Sequence, residues 1–276
     1  MFVYNKWEAF LKKLSENGVH SITADSALKN NSKQFLILKH DVEINPTKAL
    51  DLARIENKYG HHGVYYVQAY LLNSKENIEI LQKIKELGHE VSYHHDVMDS
   101  NSGDLEKALE EFEKNKENFE RNGFIINTVC QHGNPVVERN GYTSNRDFFR
   151  SEMISKRFEE IAEIMVNYRE KTNVDFKYIS DAGYGWKIIY DPETNDIVDS
   201  SDKDIKLEDL DKVFNFVLNE NAVIVSTHPH RWNSNLFSAV AKTIVFKTIR
   251  ITARILRKIP FINKIMSKFY FLAKKI

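Results

Sequence analysis

The sequence has almost no means of fixing itself covalently. A single cysteine, Cys130, stands among 276 residues, so no disulfide can close within the chain, which agrees with a reducing compartment. There is no internal repeat and no low-complexity linker. The first ten residues, Met1 to Phe10, carry neither a basic leader nor a long apolar core, and no signal peptide is expected. No apolar stretch near the C-terminus stays free of charge for the roughly 20 residues that a membrane span requires. Net charge is missing too, with 39 basic residues against 39 acidic ones. That balance conceals a division. Between Asn233 and Ile276 there are ten Lys or Arg and no Asp or Glu, which leaves residues 1–232 with 29 basic and 39 acidic residues. Two parts of opposite charge point to two jobs.

What is present suits a soluble globular protein: 42% hydrophobic and 28% charged residues, in a length that fits one large α/β domain, alone or with an appendage. The apolar run from Phe35 to Leu38 ends abruptly in Lys39-His40-Asp41-Val42-Glu43. It reads as a buried strand over 35–41 whose C-terminal end opens into a loop. The rest repeats this arrangement. Helices are expected over 5–16, from Pro46 to about Gly60, from an Asn73 or Ser74 cap through Leu87, over 103–121, 155–169 and 207–218. Strands are expected over 63–69, 90–94, 125–130, 177–180 and 222–227, with 187–190 and 196–198 pairing as a hairpin. Such alternation implies a parallel sheet with crossover helices, and seven or so units in about 230 residues suit a barrel better than an open sheet.

Chemistry gathers where these strands end, which is where α/β proteins place it. The clusters are His40-Asp41-Val42-Glu43, His94-His95-Asp96, Cys130-Gln-His132, Asp181 to Trp186, and His228-Pro-His230-Arg231-Trp232. Imidazole and carboxylate donors on neighbouring loops suit Zn²⁺ or a similar ion, which in a catalytic site takes about three protein ligands. A carboxylate base and a histidine acid would complete a hydrolase. Asp181 and Trp186 are candidates to line a substrate cleft, as is His230. Asp181 could instead cap its turn, and Trp186 could be core. His20, His61 and His62 read as structural, and Cys130 as a packed residue.

Leu38-Lys-His-Asp-Val-Glu-Ile-Asn-Pro46, Gly88-His-Glu-Val-Ser-Tyr-His94 and Ser226-Thr-His-Pro229, in this order, resemble the polysaccharide deacetylases of the NodB-homology group, and more narrowly a divergent branch associated with bacterial surface polysaccharides. The resemblance runs from about Phe35 to Trp232. It implies an incomplete (β/α) barrel over 1–232, a divalent metal, usually zinc, and removal of an N- or O-linked acetyl group from a saccharide. It implies Asp41 as base, Glu43 and His94 as metal ligands, and His228 as general acid. The sequence departs from the family in three ways. Val42 separates two acidic residues that are usually adjacent, though residues two apart on a strand face the same side. Met98 stands where a second histidine ligand is usual, so His95, Asp96 or His132 must replace it; His132, ending a strand before Gly133, is favoured. The usual arginine-proline motif near Cys130 is absent.

The region 233–276 reads as a basic amphipathic appendage. On a helical wheel Phe237, Ala241, Ile244, Ile251 and Ile255 share one side, and Lys247, Arg250, Arg254, Arg257 and Lys258 another, before Pro260 interrupts. An anionic membrane surface is the expected partner, at the inner face of the membrane of a cytoplasmic protein. The alternative is packing on an acidic body. Nucleic acid is disfavoured because the cationic side is backed by a continuous apolar one. A membrane-face position suggests a lipid-linked or nucleotide-linked sugar in surface-polysaccharide assembly. Two rival readings stand beside the deacetylase: a sugar-binding or scaffold protein that has lost catalysis, and a hydrolase of another amide C–N bond.

Overall fold

The structure, a computed structural model, describes residues 1–134, 137–189 and 204–256. In chain order it comprises α1 (Tyr4–Glu16), α2 (Ala24–Lys29), β1 (Phe35–Val42), α3 (Pro46–Lys58), β2 (Val64–Val67), α4 (Lys75–Glu86), β3 (Glu90–His95), α5 (Val97–Ser100), α6 (Leu105–Arg121), β4 (Thr128–Gln131), α7 (Asp147–Arg150), α8 (Glu152–Arg157), β5 (Ala162–Glu163), α9 (Tyr168–Thr172), β6 (Lys177–Ser180), β7 (Trp186–Ile188), β8 (Ile205–Leu207), α10 (Leu210–Asn219), β9 (Ala222–Thr227) and α11 (Leu236–Leu256). Short 3₁₀ turns follow β2, β6 and β9.

The nine strands form one sheet in the order β5-β4-β3-β2-β1-β9-β6-β7-β8. From β1 to β5 each strand is laid beside the last in one direction, all parallel. This is the winding of a barrel; a doubly wound sheet would reverse at a switch point. β9 returns beside β1 and carries β6 in parallel on its other edge, while β7 and β8 add an antiparallel flap. β5 and β6 do not pair, so the described strands form an incomplete barrel. Contacts across the concave face show the curl. The Tyr66 hydroxyl on β2 bonds Thr128 Oγ1 on β4 at 2.8 Å, and the Phe35 ring on β1 meets Tyr168 on α9.

Strand alternation divides the core into an inside and an outside. Ile37, Val64, Tyr66, Cys130, Ile164 and Ile224 fill the inside. Leu36, Leu38, Val223 and Val225 face outward onto α1 and α10; Tyr65, Val91 and Tyr93 face outward onto α3, α4 and α6. A buried ion cluster ties α3 to the outside of the sheet. Glu56 lies 2.7 Å from His40 Nε2 and accepts from the Tyr65 hydroxyl at 2.8 Å and Trp7 Nε1 at 3.1 Å. His89 belongs to the same layer: its Nδ1 accepts from Gly63 N–H at 2.9 Å, and its Nε2 meets the Ala53 carbonyl at 3.0 Å. Gly88 makes the turn from α4 into β3 at φ +86°, and a Cβ there would stand 2.7 Å from the His62 ring, so only glycine fits.

Two expectations are corrected. The helix expected over 155–169 is broken: α8 ends at Arg157, the chain pairs with β4 as β5, and α9 follows. The Glu163 carboxylate accepts the Gln131 and Met165 N–H groups at 2.7 Å each, closing this short edge where a helix would have left it open. The partner of β7 is Ile205–Leu207, not 196–198, which lie outside the described residues. Pro260 and the rest of 257–276 also lie outside them.

Candidate metal and catalytic site

Alternation along β1 and β3 decides which ionisable groups meet. Lys39 and Asp41 share the inner face of β1, whereas His40 points outward to Glu56. On β3, His94 points inward. His95 points outward into an aromatic box, its ring 5.6–6.1 Å from those of Tyr93, Phe112, Phe148 and Phe149. Burial holds the His95 imidazole down at about 3. Of the three candidates for the third ligand, His95 is thereby removed. Asp96, at the N-terminus of α5, lies beyond the end of β3.

Glu43, His94 and His132 each offer a ligand atom, all within 4.8 Å of one another. His132 Nε2 is 3.2 Å from Glu43 Oε1, and the His94 and His132 rings meet edge to face at 5.2 Å. His94 Nδ1 lies 2.9 Å from the Cys130 carbonyl. That contact fixes Nδ1 as the N–H donor and leaves Nε2 as the lone-pair side, the usual support of a ligating histidine. Burial pushes the His94 imidazole down to about 4, so it is neutral at pH 7 and able to ligate. Glu43 is the complement. Burial would raise its carboxyl, but His132, first through its hydrogen bond, and then His228 and His230 hold it well below the usual range. One carboxylate and two imidazoles within a few ångströms fit a divalent ion of the zinc class.

Asp41 stands beside this cluster and forms a second close group with His94 and Cys130. Lys39 is 1% exposed, and its Nζ donates to both Asp41 oxygens at 2.5 and 2.6 Å. Burial would raise the Asp41 carboxyl; Lys39, followed by His94 and His228, outweighs it and keeps Asp41 ionised. The Cys130 thiol is pushed well up by burial and offers no ready thiolate.

His228 faces the cluster from β9. Its Nε2 is 3.9 Å from Asp41 Oδ2 and 3.8 Å from Glu43 Oε1, while its Nδ1 donates to Asp181 Oδ1 at 2.7 Å. Asp181 is fully buried. It also accepts from Thr227 Oγ1 at 2.7 Å, the His228 N–H at 3.0 Å and Arg231 Nη1 at 2.6 Å. Burial opposes its charge, yet Arg231 and then His228 drive its carboxyl far below the usual range. Asp181 therefore acts on the site through His228 and cannot touch a substrate, which corrects its placement in the cleft lining. Trp186 is likewise misplaced by the sequence reading. It is 4% exposed and stacks in a cluster with Trp7, Phe2 and Trp232. His230 is at the site's edge, its ring 5.6 Å from that of His228; burial lowers it to about 3.

The structure thus brings Asp41, Glu43, His94, His132, His228 and His230 together, and adds Lys39, Asp181 and Arg231 as their supports. Lys39 was missed although its signal was present: a lysine inside an apolar strand, two positions before an aspartate, faces the same way as that aspartate.

No protein-family model matches the chain, and no curated protein does. Solved structures of similar shape include a Streptococcus mutans CE4 esterase, 11% identical over 84% of this chain and 89% of that one, with a TM-score of 0.45. The catalytic domain of a peptidoglycan N-acetylglucosamine deacetylase from Eubacterium rectale is 14% identical over 78% and 84%, with a TM-score of 0.41. A peptidoglycan deacetylase from Bacillus subtilis is 12% identical over 83% and 98%, with a TM-score of 0.37.

Proposed function

We propose that this chain is a metal-dependent hydrolase that removes an acetyl group from a saccharide. The observation that carries the reading is the convergence of four strand ends, those of β1, β3, β4 and β9. Glu43, His94 and His132 form a ligand set, with an ionised carboxylate, Asp41, and an aspartate-held imidazole, His228, both facing it. A divalent ion held there supplies electrophilic polarisation of an acetyl carbonyl and acidifies water. The protein's own groups do the proton work. Asp41, kept charged by Lys39, accepts a proton from the attacking water. His228, whose Nδ1–H is fixed on Asp181, carries a proton on Nε2 and delivers it to the departing sugar nitrogen or oxygen. Asp181 stabilises the imidazolium that this role requires. Acetate and the free amine or hydroxyl are the products.

The substrate reading extends to the tail. Helix α11 begins on the body, where Ala239 is buried, and presents Leu236, Phe237, Ile244 and Val245 to solvent. No helix among the described residues is long and apolar enough to cross a membrane. An exposed apolar side on an acid-free basic segment supports a peripheral seat on anionic lipid, and with it a lipid-linked or nucleotide-linked sugar of surface-polysaccharide assembly. Acetate release from a panel of N- and O-acetylated sugars tests the activity. Turnover that falls at least a hundredfold in Asp41→Asn supports it; no release from any acetylated sugar by metal-loaded protein favours the binding or scaffold reading.

A further inference from the structure

His132 stands one residue past the end of β4 and is followed by Gly133. Strand pairing holds it on one side only: its N–H donates to the His95 carbonyl at 2.7 Å. Its carbonyl lies beyond the ladder and accepts from the Asn145 side chain instead, with Nδ2 at 2.8 Å. That carboxamide is used at both ends. Nδ2 also donates to Asp99 Oδ2 at 2.9 Å, and Oδ1 accepts the Asp99 N–H at 2.9 Å. The Asp99 N–H belongs to the first turn of α5, where a helix leaves its donors without intrahelical partners. With an N–H on one side and two oxygens on the other, the amide fits in one orientation only. Asn145 is fully buried, and it leads into α7, whose Phe148 and Phe149 close the aromatic box around His95. Asp99 is fixed in turn by Arg139, whose Nε and Nη2 donate to its two carboxylate oxygens at 2.8 and 2.9 Å, and by the Tyr142 hydroxyl at 3.1 Å. Arg139 Nη2 also donates to the Asn134 carbonyl at 2.9 Å. Both ends of the stretch between β4 and α7 are thereby fastened to α5.

We propose that Asn145 is a positioning residue for His132: its carboxamide, backed by Asp99 and Arg139, sets the direction in which the His132 imidazole enters the ligand set. The inference rests on the metal reading of Glu43, His94 and His132. The two histidines are aimed by different means. His94 is held at its ring, where Nδ1 meets the Cys130 carbonyl. His132 is held through its main chain: with its N–H and its carbonyl both fixed, only the two side-chain torsions remain to place Nε2 beside Glu43. Removing the carbonyl bond lets the peptide before Gly133 rotate, since glycine restrains it little, and swings the ring away from Glu43 and His94. Partners that orient a metal ligand from behind are worth about 10- to 100-fold in metal affinity.

The test is zinc affinity, read by competition with a chromophoric chelator in a double-mutant cycle. Asn145→Ala should weaken zinc binding about 10- to 100-fold. In a His132→Ala background the same change should alter affinity by less than about twofold, because Asn145 acts only through that ligand. A residue that merely supports the fold would weaken binding in both backgrounds. Asn145→Asp/Asp99→Asn is the second variant, and it carries the test where Asn145→Ala fails to fold. The swap keeps an amide beside an acid, so its thermal midpoint should stay close to wild type. It leaves no donor for the His132 carbonyl, so affinity should fall as far as in Asn145→Ala. Wild-type affinity in either variant, or an equal loss with and without His132, overturns the positioning role. Zinc binding that His132→Ala leaves intact contradicts the ligand reading itself, and this proposal with it.

Discussion

Asp41→Asn separates two effects of one residue. Losing the base should cost 10²- to 10⁴-fold in kcat/KM. It also leaves Lys39 charged and buried without its partner, which should destabilise the fold by about 3 kcal/mol. Adding Lys39→Met should recover most of that stability in urea unfolding, with activity still lost. If Asp41→Asn alone unfolds no earlier than wild type, the Lys39–Asp41 pair is not the buried ion pair described. His95 gives the pH dependence. Its folded value, about 3, lies below its ordinary 6.5, so the unfolded chain takes up a proton that the fold refuses. This contribution is complete above pH 6.5 and falls by about 1.4 kcal/mol per unit as pH drops toward 3. His95→Phe should therefore retain roughly 2 kcal/mol more of its stability than wild type between pH 7 and pH 5; equal losses would place His95 in contact with water. At this scale the sequence showed which residue types end which strands. It could not show that Asp181 serves His228, because that pairing spans 47 residues and depends on β6 lying beside β9.

Among the elements, α6 and the strands β1, β2, β3 and β9 were legible because each combines a clean period with a clear stop. Asp104 caps α6 by accepting the Lys107 N–H, Ser74 caps α4, and the runs of β1 and β9 are apolar on both faces, as a barrel strand must be. The region from Asp147 to Thr172 was not legible. Its elements are two to six residues long, too short for a helical period to be told from a bent strand, and β5 is set by its pairing with β4. Phe112 carries much of the packing between α6 and the sheet, touching Tyr93, His95, Phe148, Phe149 and Phe158. Phe112→Ala should cost 3–5 kcal/mol in chemical denaturation; a loss under 1 kcal/mol would mean that α6 is not docked as described.

Across the whole molecule, one sheet order explains why residues from 41 to 228 meet: β4, β3, β2, β1, β9 and β6 are neighbours, so their C-terminal ends crowd one mouth. The barrel winding was legible from strand and helix alternation, but the position of its gap was not, since nothing local shows that β5 and β6 do not pair with each other. The charge division was legible at once, and it supports separate roles for body and tail. Full-length protein should sediment with vesicles containing phosphatidylserine at low salt, less so at 0.5 M salt, while a chain ending at residue 235 should stay in the supernatant. Equal sedimentation of both would end the membrane proposal for α11.

Metal content decides whether Glu43, His94 and His132 hold an ion. Elemental mass spectrometry of the purified protein, beside His94→Ala and His132→Ala, should find near one divalent ion per chain in the wild type and a small fraction of that in either variant, with folding confirmed by circular dichroism. No bound metal after loading with zinc, or full occupancy in both variants, would contradict the site as built here and leave Asp41 and His228 without the chemistry assigned to them.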